Sequence, residues 1–319
     1  MRLPPARLLA ASSMPRASSV LAALAAGPPA HVVLLPGLLC TPRLFAAVQR
    51  RIGSACDVII PTTHTGSAAS MEGMVSDMLA HLPARFAVAG FSMGGYAALE
   101  MVRQAPHRIS GIACLSTQAR ADSEQTRARR AQHVAEAQRT GSLHHVLTDM
   151  LPKLLAPRQL PAGWEAYLTP ATCPPHLFDT HAAFTTCVRM AHDVAPDGFA
   201  LQQQRIMSRH DTRDALRKYA TEAARAAAAA ATTALPHEAH RILLLHGGAD
   251  TLIPLASHSE MYKIAHHVSH HAPHAVPAPS DDSLLRVVLP GVGHMSALEA
   301  GDAVADAVAR WLRLPGAVE

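Results

Sequence analysis

Several classes of protein are excluded by what this sequence lacks. No run of 18 or more apolar residues occurs in its 319 residues, so no membrane-spanning helix is predicted. The five cysteines are odd in number and include no C-x-x-C pair, which disfavours a disulfide framework and favours a reducing compartment. No basic stripe suggests nucleic-acid binding. With 49% hydrophobic residues, the chain has enough apolar material for a large core.

Acidic residues are missing from the beginning of the chain, where the first one is Asp57. Residues 1–30 carry Arg2, Arg7 and Arg16 together with several serines. This composition is typical of an organelle transit peptide, and a disordered leader has it as well. A secretory signal is disfavoured because Arg16 interrupts the apolar stretch. We therefore predict a leader over residues 1–30 and a cytoplasmic or mitochondrial location.

Short continuous apolar runs alternate with stretches of helical periodicity along most of the chain. Continuous runs are typical of strands that are buried on both faces of a parallel sheet. Predicted strands lie within 31–39, 56–61, 85–90, 108–116, 241–250 and 284–294, and predicted helices within 70–82, 94–106 and 296–312. The last helix has a capping-box pair, Ser296 and Glu299, and an apolar stripe of Val304, Val308, Trp311 and Leu312. The pattern predicts an α/β fold with a mostly parallel sheet.

The strand signal disappears between residues 117 and 240. We predict a helical cap there, inserted into a core of residues 31–116 and 241–314. The run Arg127, Arg129 and Arg130 is expected to be a solvated helix face. The alanine-rich stretch 222–240 and the histidine-rich stretch 265–283 are biased in composition and are expected to be surface loops.

The histidine-rich stretch also raises the question of a metal site. His266 and His270 are four residues apart, as metal ligands on a helix would be. Pro273 and Pro277 interrupt such a helix, and no carboxylate or cysteine is interleaved. We therefore predict no metal and no organic cofactor.

The segment GFSMG at residues 90–94 places one serine on a turn between a predicted strand and a predicted helix. Glycines on either side let the strand and the helix approach closely, because they lack a Cβ atom. The turn holds the hydroxyl of Ser92 at the C-terminal edge of the sheet, where open α/β sheets bind ligands. Ser92 is therefore the candidate nucleophile.

A serine nucleophile needs a base and a group that orients the base. Asp250 follows the strand within 241–250, and His294 follows the strand within 284–294. The ends of parallel strands would bring both to the edge where Ser92 lies. Two backbone N–H groups are candidates for stabilising a developing oxyanion: that of Met93, after the nucleophile, and that of Leu38, after the Pro36-Gly37 turn.

Four segments together resemble the α/β-hydrolase superfamily, in particular its small bacterial-type hydrolases. They are LLPGLLCTPRLF, GFSMGGYAALEMVRQAPHRI, LLLHGGADTLIP and GVGHMSALEAGDAV, which cover roughly residues 31–120 and 241–314. The chain order Ser92, Asp250, His294 is the order of the catalytic triad in this superfamily. The resemblance implies the fold and a nucleophilic serine, but not the substrate.

The expected activity is hydrolysis of a carboxylic ester or thioester, with a small to medium, mostly apolar substrate as partner. Cap residues such as Met150, Leu151, Leu154 and Leu155 could line an acyl pocket or simply pack the cap. Two other functions remain open. Cofactor-free perhydrolases, C–C hydrolases and lyases share these motifs, and a non-catalytic member of the fold would only bind its ligand.

Overall fold

Six parallel strands form the centre of the molecule. The computed structural model describes residues 29–233, 240–266 and 283–314. Within these ranges the strands are β1 His31–Leu35, β2 Asp57–Ile59, β3 Phe86–Phe91, β4 Ile109–Leu115, β5 Arg241–Gly247 and β6 Leu284–Leu289. Their order across the sheet is β2-β1-β3-β4-β5-β6, and every neighbouring pair is parallel. Each strand lies in one of the predicted apolar runs, except that β3 ends one residue later, so the predicted sheet is confirmed.

Helices connect the strands and cover the sheet. In the described ranges they are α1 Ala46–Ile52, α2 Met71–His81, α3 Met93–Gln104, α4 Glu124–Thr140, α5 His144–Leu154, α6 Leu177–Thr180, α7 Ala182–Met207, α8 Arg213–Thr233, α9 Leu255–His266, α10 Ser296–Glu299 and α11 Gly301–Trp311. The predicted helices 70–82 and 94–106 are confirmed by α2 and α3. The Ser70 hydroxyl begins α2 by accepting a hydrogen bond from the N–H of Gly73.

The sheet is covered on both faces, as the apolar character of its strands predicts. Helices α1 and α11 contribute to the cluster on one face, and the predicted stripe of α11 is buried there. Helices α2, α3, α8 and α9 contribute to the cluster on the other face. Alternate residues of β3 point to opposite clusters, with Ala87 on one face and Val88 on the other.

The expectation of a loop in the alanine-rich stretch is wrong for residues 222–233, because they continue α8. An isolated alanine-rich segment of this length would be only marginally helical. Here the helix gains tertiary packing from its first half, where Leu216, Tyr219 and Ala220 are buried against the sheet-covering helices. The hydroxyl of Tyr219 also donates to the carbonyl oxygen of Ile109 in β4. Helix α8 therefore packs on the sheet in the layer of α3 and α9.

The predicted capping box at Ser296 is also wrong. The helix starts after Met295 without a side-chain cap, and the chain breaks at Ala300 into the short α10 and the longer α11. The Ser296 hydroxyl is hydrogen-bonded to the Ser116 hydroxyl instead, at 3.0 Å. Glu299 accepts from two backbone N–H groups outside the helix. Both polar side chains therefore bond to residues that are distant in sequence or outside the helix, and neither caps the helix.

Two predictions concern parts of the chain that are wholly or partly outside the described residues. The proposed leader falls on residues 1–30, of which 1–28 are outside, and the histidine-rich stretch is described only up to His266 and from Ser283 onward.

Among the helices that are described, none combines the length and the apolar composition needed to cross a bilayer. The five cysteines all lie in the described part, where each is buried and unpaired.

Candidate active site

The turn after β3 has the strained geometry that the GFSMG motif predicts. Ser92 has φ 52° and ψ −114°, in the left-handed half of backbone space that side chains rarely occupy. A Cβ atom at Gly90 would lie 2.1 Å from the carbonyl oxygen of Gly94, and one at Gly94 would lie 1.9 Å from that of Leu35. Glycine is therefore required at both positions for the strand, the turn and α3 to meet.

Ser92, His294 and Asp250 are joined by hydrogen bonds at the C-terminal edge of the sheet. The Oγ atom of Ser92 lies 2.9 Å from Nε2 of His294, and Nδ1 of His294 lies 2.7 Å from Oδ2 of Asp250. A carboxylate only accepts, so Nδ1 carries the proton and Nε2 is left to accept from the serine. All three residues are buried. The structure thus brings together the three predicted residues.

The Asp250 carboxylate is fixed by the loop that follows it. Its Oδ1 atom accepts hydrogen bonds from the backbone N–H groups of Leu252 and Ile253, both at 2.9 Å. This leaves Oδ2 directed at His294. Oδ1 therefore stabilises the turn, and Oδ2 orients the histidine.

The two candidate oxyanion donors lie beside the serine. Met93 is the first residue of α3, and Leu38 lines the same cavity as Ser92 and His294. No hydrogen bond within the described parts of the chain uses the backbone N–H of either residue. The structure therefore leaves both donors available, as an oxyanion site requires.

Gln202 is a buried residue of α7 that the sequence did not single out, and it holds the loop containing Leu38. Its Oε1 accepts from the N–H of Leu39 at 2.9 Å, and its Nε2 donates to the hydroxyl of Thr63 at 3.1 Å. Leu39 has a φ of 56°, which is uncommon for a branched side chain. The bond to Gln202 therefore helps to hold a strained turn next to the serine.

A comparison with protein families decides the identity of the chain. A family described as serine aminopeptidase, S33, matches residues 63–274, which is more than half of the sequence and includes Ser92 and Asp250. The chain belongs to this family. The resemblance to the α/β-hydrolase superfamily is therefore confirmed. A search of curated proteins finds no match.

Solved structures share the fold of this S33-family chain. A thermophilic esterase from Thermogutta terrifontis is 22% identical with a TM-score of 0.63, over 90% of this chain and 91% of that one. An enol-lactonase from Burkholderia xenovorans is 16% identical with a TM-score of 0.62, over 90% and 92% of the two chains. A carboxylesterase from Nitrososphaera gargenis is 14% identical with a TM-score of 0.60, over 89% and 90%. Likeness at these identities shows a common fold.

His246 is a second histidine at the site, and sequence reasoning missed it. Its Nε2 atom lies 2.9 Å from the carbonyl oxygen of Ile253 and 3.4 Å from Oδ2 of Asp250. Burial lowers the pKa of His246, so the ring is neutral near pH 7 and donates from Nε2 to the carbonyl. The only signal in the sequence was a histidine inside the apolar run LLLHGGAD, four residues before Asp250.

Glu299 connects two segments of the chain: the loop that carries His294 and the residues just after α5. Its Oε2 atom accepts from the N–H of Gly293 at 3.1 Å and from the N–H of Ala156 at 3.3 Å. Burial raises the pKa of this carboxyl, and the two N–H groups only partly oppose the rise. The N–H of Met295 also donates to the carbonyl oxygen of Leu154. The end of α5 is therefore fastened to the histidine loop.

A cavity of about 260 Å³ opens above Ser92 and His294, between the sheet edge and helices α4 and α5. Met150 and Leu154 line it, whereas Leu151 and Leu155 are buried elsewhere in the cap. The rest of the wall is mixed, with apolar residues such as Phe91, Ile206 and Ile253 beside several charged groups. Its charged groups are Arg120, Asp122, Arg129, Arg130, Asp149 and Lys153.

The expectation of a solvated helix face is wrong for Arg130, which is half-buried; Arg127 and Arg129 are exposed, although Arg129 also lines this cavity. Arg130 also forms an ion pair with Asp122, in which its Nε atom lies 2.7 Å from Oδ2 of the carboxylate. Arg209 donates to the other oxygen of Asp122 at 2.8 Å. The pattern of three arginines in a polar helix gave no signal of this, because the side of α4 that faces the site depends on how the cap folds.

Proposed function

We propose that this S33-family protein is a serine hydrolase that cleaves a carboxylic ester or thioester through an acyl-enzyme. The observation that carries the proposal is the unbroken chain of hydrogen bonds from Ser92 through His294 to Asp250 at the floor of a cavity. The histidine can take the proton of the nucleophile, and the carboxylate orients the histidine and stabilises its charged form, as such a reaction needs.

The reaction uses these residues in two halves. The Ser92 oxygen attacks the carbonyl carbon while His294 takes its proton, and the N–H groups of Met93 and Leu38 stabilise the oxyanion. The tetrahedral intermediate collapses with cleavage of the bond to the leaving group, and His294 returns the proton to the departing alcohol or thiol. Water then attacks the acyl-Ser92 ester by the same route, which releases the acid and restores the serine.

The charge of the cavity favours an ester over an aminopeptidase substrate. An aminopeptidase substrate brings an ammonium group, which needs an acidic partner in the site. The two carboxylates of the wall, Asp122 and Asp149, are already engaged by Arg130, Arg209 and Lys153. A free ammonium group would therefore find no carboxylate in the described wall that is not already paired with a cation.

Hydrolysis of a series of 4-nitrophenyl esters tests the proposal. We expect turnover by the wild type, loss of turnover in Ser92→Ala, and unchanged turnover in Ser110→Ala, a serine of β4 that lies outside the cavity. Retained turnover in Ser92→Ala would overturn the proposal. No turnover of any ester or thioester, with activity on a β-diketone or in a peroxide assay, would favour a C–C hydrolase or perhydrolase instead. Tight ligand binding without product would favour a binding protein.

A further inference from the structure

The cationic wall above Ser92 is built from two cap helices and one loop. Helix α4 supplies Arg129 and Arg130, helix α5 supplies Lys153, and the segment after β4 supplies Arg120. An enclosed surface with this many cations raises the local concentration of anions. Whether it can hold one depends on which of the charges are already paired.

Three of the four cations have carboxylate partners. Arg120 makes two hydrogen bonds to the carboxylate of Glu260, at 2.7 and 2.5 Å. Arg130 is bonded to Asp122, and Lys153 is bonded to Asp149 at 2.5 Å. These charges are largely compensated where they stand.

Arg129 is the exception. It makes no hydrogen bond or ion pair with any residue in the described ranges, and its side chain is exposed in the cavity wall. Its charge acts on its neighbours across the two helices. It contributes to lowering the pKa of His133, for which burial is the main cause, and it contributes with Lys153 and His133 to lowering that of Asp149. The wall therefore carries a positive charge that no group in the described part of the chain pairs with directly.

Two hydrogen bonds join helix α5, the neighbour of the Arg129 helix, to the loops of Asp250 and His294. The hydroxyl of Thr251 donates to the carbonyl oxygen of Lys153 at 3.3 Å, and the N–H of Met295 donates to that of Leu154 at 2.9 Å. Thr251 follows Asp250, and Met295 follows His294. Helix α5 is thus joined directly to both loops of the triad, and α4 packs on α5 beside it. A substrate held at Ser92 meets the cationic wall in a defined place.

We infer that the cavity takes an ester or thioester that carries a carboxylate group away from the bond to be cleaved, with Arg129 as the partner of that carboxylate. The inference rests on the proposed ester chemistry and names its substrate class. A guanidinium matches the two oxygens of a carboxylate. One uncompensated charge suits a monoanion better than a phosphate dianion.

Two methyl esters of equal chain length test the inference. Methyl hydrogen adipate carries the carboxylate, and methyl hexanoate carries a methyl group in its place. We expect the wild type to have a kcat/KM for the hemiester about tenfold or more above that for methyl hexanoate, by release of methanol. Arg129→Gln should lower the kcat/KM for the hemiester by about tenfold to a hundredfold and leave that for methyl hexanoate within about twofold.

Arg139→Gln is the matched control. Arg139 lies on the same helix, loses the same charge when replaced, is exposed, and is paired with Glu136 outside the cavity. It should leave both substrates unchanged. Equal kcat/KM values for the two esters in the wild type, or equal effects of Arg129→Gln and Arg139→Gln, would overturn the carboxylate site and leave the ester hydrolase standing. Preference for a phosphate-bearing ester over the hemiester would overturn the choice of a carboxylate.

A binding measurement with adipate tests the carboxylate site independently of ester cleavage. If neither these methyl esters nor any 4-nitrophenyl ester is cleaved, the ester chemistry fails, and calorimetry with adipate still tests the anion site. Adipate that binds the wild type and Arg139→Gln but not Arg129→Gln supports the site. Adipate that binds none of them, or binds all of them equally, overturns it.

Discussion

The Nε2 atom of His246 lies 3.4 Å from Oδ2 of Asp250, the same oxygen that accepts from Nδ1 of His294. Two histidines therefore contact this buried carboxylate, and only one of the two, His294, is hydrogen-bonded to Ser92. Because burial lowers its pKa, His246 stays neutral near pH 7 and adds no charge beside the triad. Its place between Ile253 and Asp250 indicates that it positions the carboxylate.

Replacing His246 should impair the chemical step rather than substrate binding. We expect His246→Gln to lower kcat about tenfold with KM unchanged, because loss of the hydrogen bond to the Ile253 carbonyl loosens the loop whose N–H groups hold Asp250. His258→Gln is the control, since the His258 ring lies 5.2 Å from that of His246 and makes no bond to Asp250. Steady-state kinetics on both variants, with thermal melting to check folding, decides between them. Equal losses of kcat would contradict the positioning role.

Asp250→Asn should remove most of the activity while the fold persists. An amide presents an N–H group as well as an oxygen, so it can hold His294 in the wrong tautomer. In a triad of this kind the corresponding change lowers kcat by about 10⁴-fold. Ester hydrolysis under saturating substrate measures the effect, and circular dichroism checks the fold. A loss of less than about tenfold would show that Asp250 is not the orienting acid.

Gly94→Ala should destabilise the protein through backbone overlap. The added Cβ atom would lie 1.9 Å from the Leu35 carbonyl oxygen, so β1 and α3 would have to separate. We expect a loss of about 3 kcal/mol or more in the free energy of unfolding. Gly141→Ala, at a helix end with φ 64° and open space around it, should cost about 1 kcal/mol. Urea unfolding of the two variants should show this ranking, and a reversed order would contradict it.

The buried ion pairs of Asp122 should make stability depend on pH. Burial alone would raise the pKa of Asp122, but the bonds to Arg209 and Arg130 outweigh it and hold the pKa below its ordinary value. The stabilisation is therefore present above about pH 4 and is lost as the pH falls through the lowered pKa. Asp122→Asn should cost about 3 kcal/mol at pH 7, because it leaves the buried Arg209 and the half-buried Arg130 without their anionic partner.

Urea unfolding at several pH values measures that dependence. The difference between the wild type and Asp122→Asn should shrink as the pH falls below about 4. Glu136→Gln, which breaks a solvent-exposed pair with Arg139, should change the stability far less than Asp122→Asn at every pH. A constant difference between the wild type and Asp122→Asn would show that Asp122 does not act through its charge.

The sequence was sufficient to predict the sheet and to select three side chains that meet at its edge. Continuous apolar runs are typical of buried parallel strands, and a serine between glycines at the end of such a run is typical of a nucleophile on a strand-to-helix turn. Residues that act through distant partners gave no such signal. His246 was hidden in an apolar run, and Arg129 resembled any solvated arginine until α4 was placed over the cavity.

Local rules failed where tertiary contacts compete with them. Ser296 and Glu299 have the spacing of a capping box, yet Ser116 and the N–H groups of Gly293 and Ala156 take their polar atoms. The alanine-rich residues after 222 are too few to form a stable helix alone, yet they extend one whose first half is packed on the sheet.

Labelling with a fluorophosphonate probe tests most directly whether Ser92 is an activated nucleophile. The probe reacts with serines that have a functioning base, so it requires no knowledge of the substrate. We predict that the wild type gains one adduct, that peptide mapping places the adduct on Ser92, and that Ser92→Ala gains none although it is folded. An unlabelled but folded wild type, or an adduct that persists in Ser92→Ala, would contradict the account.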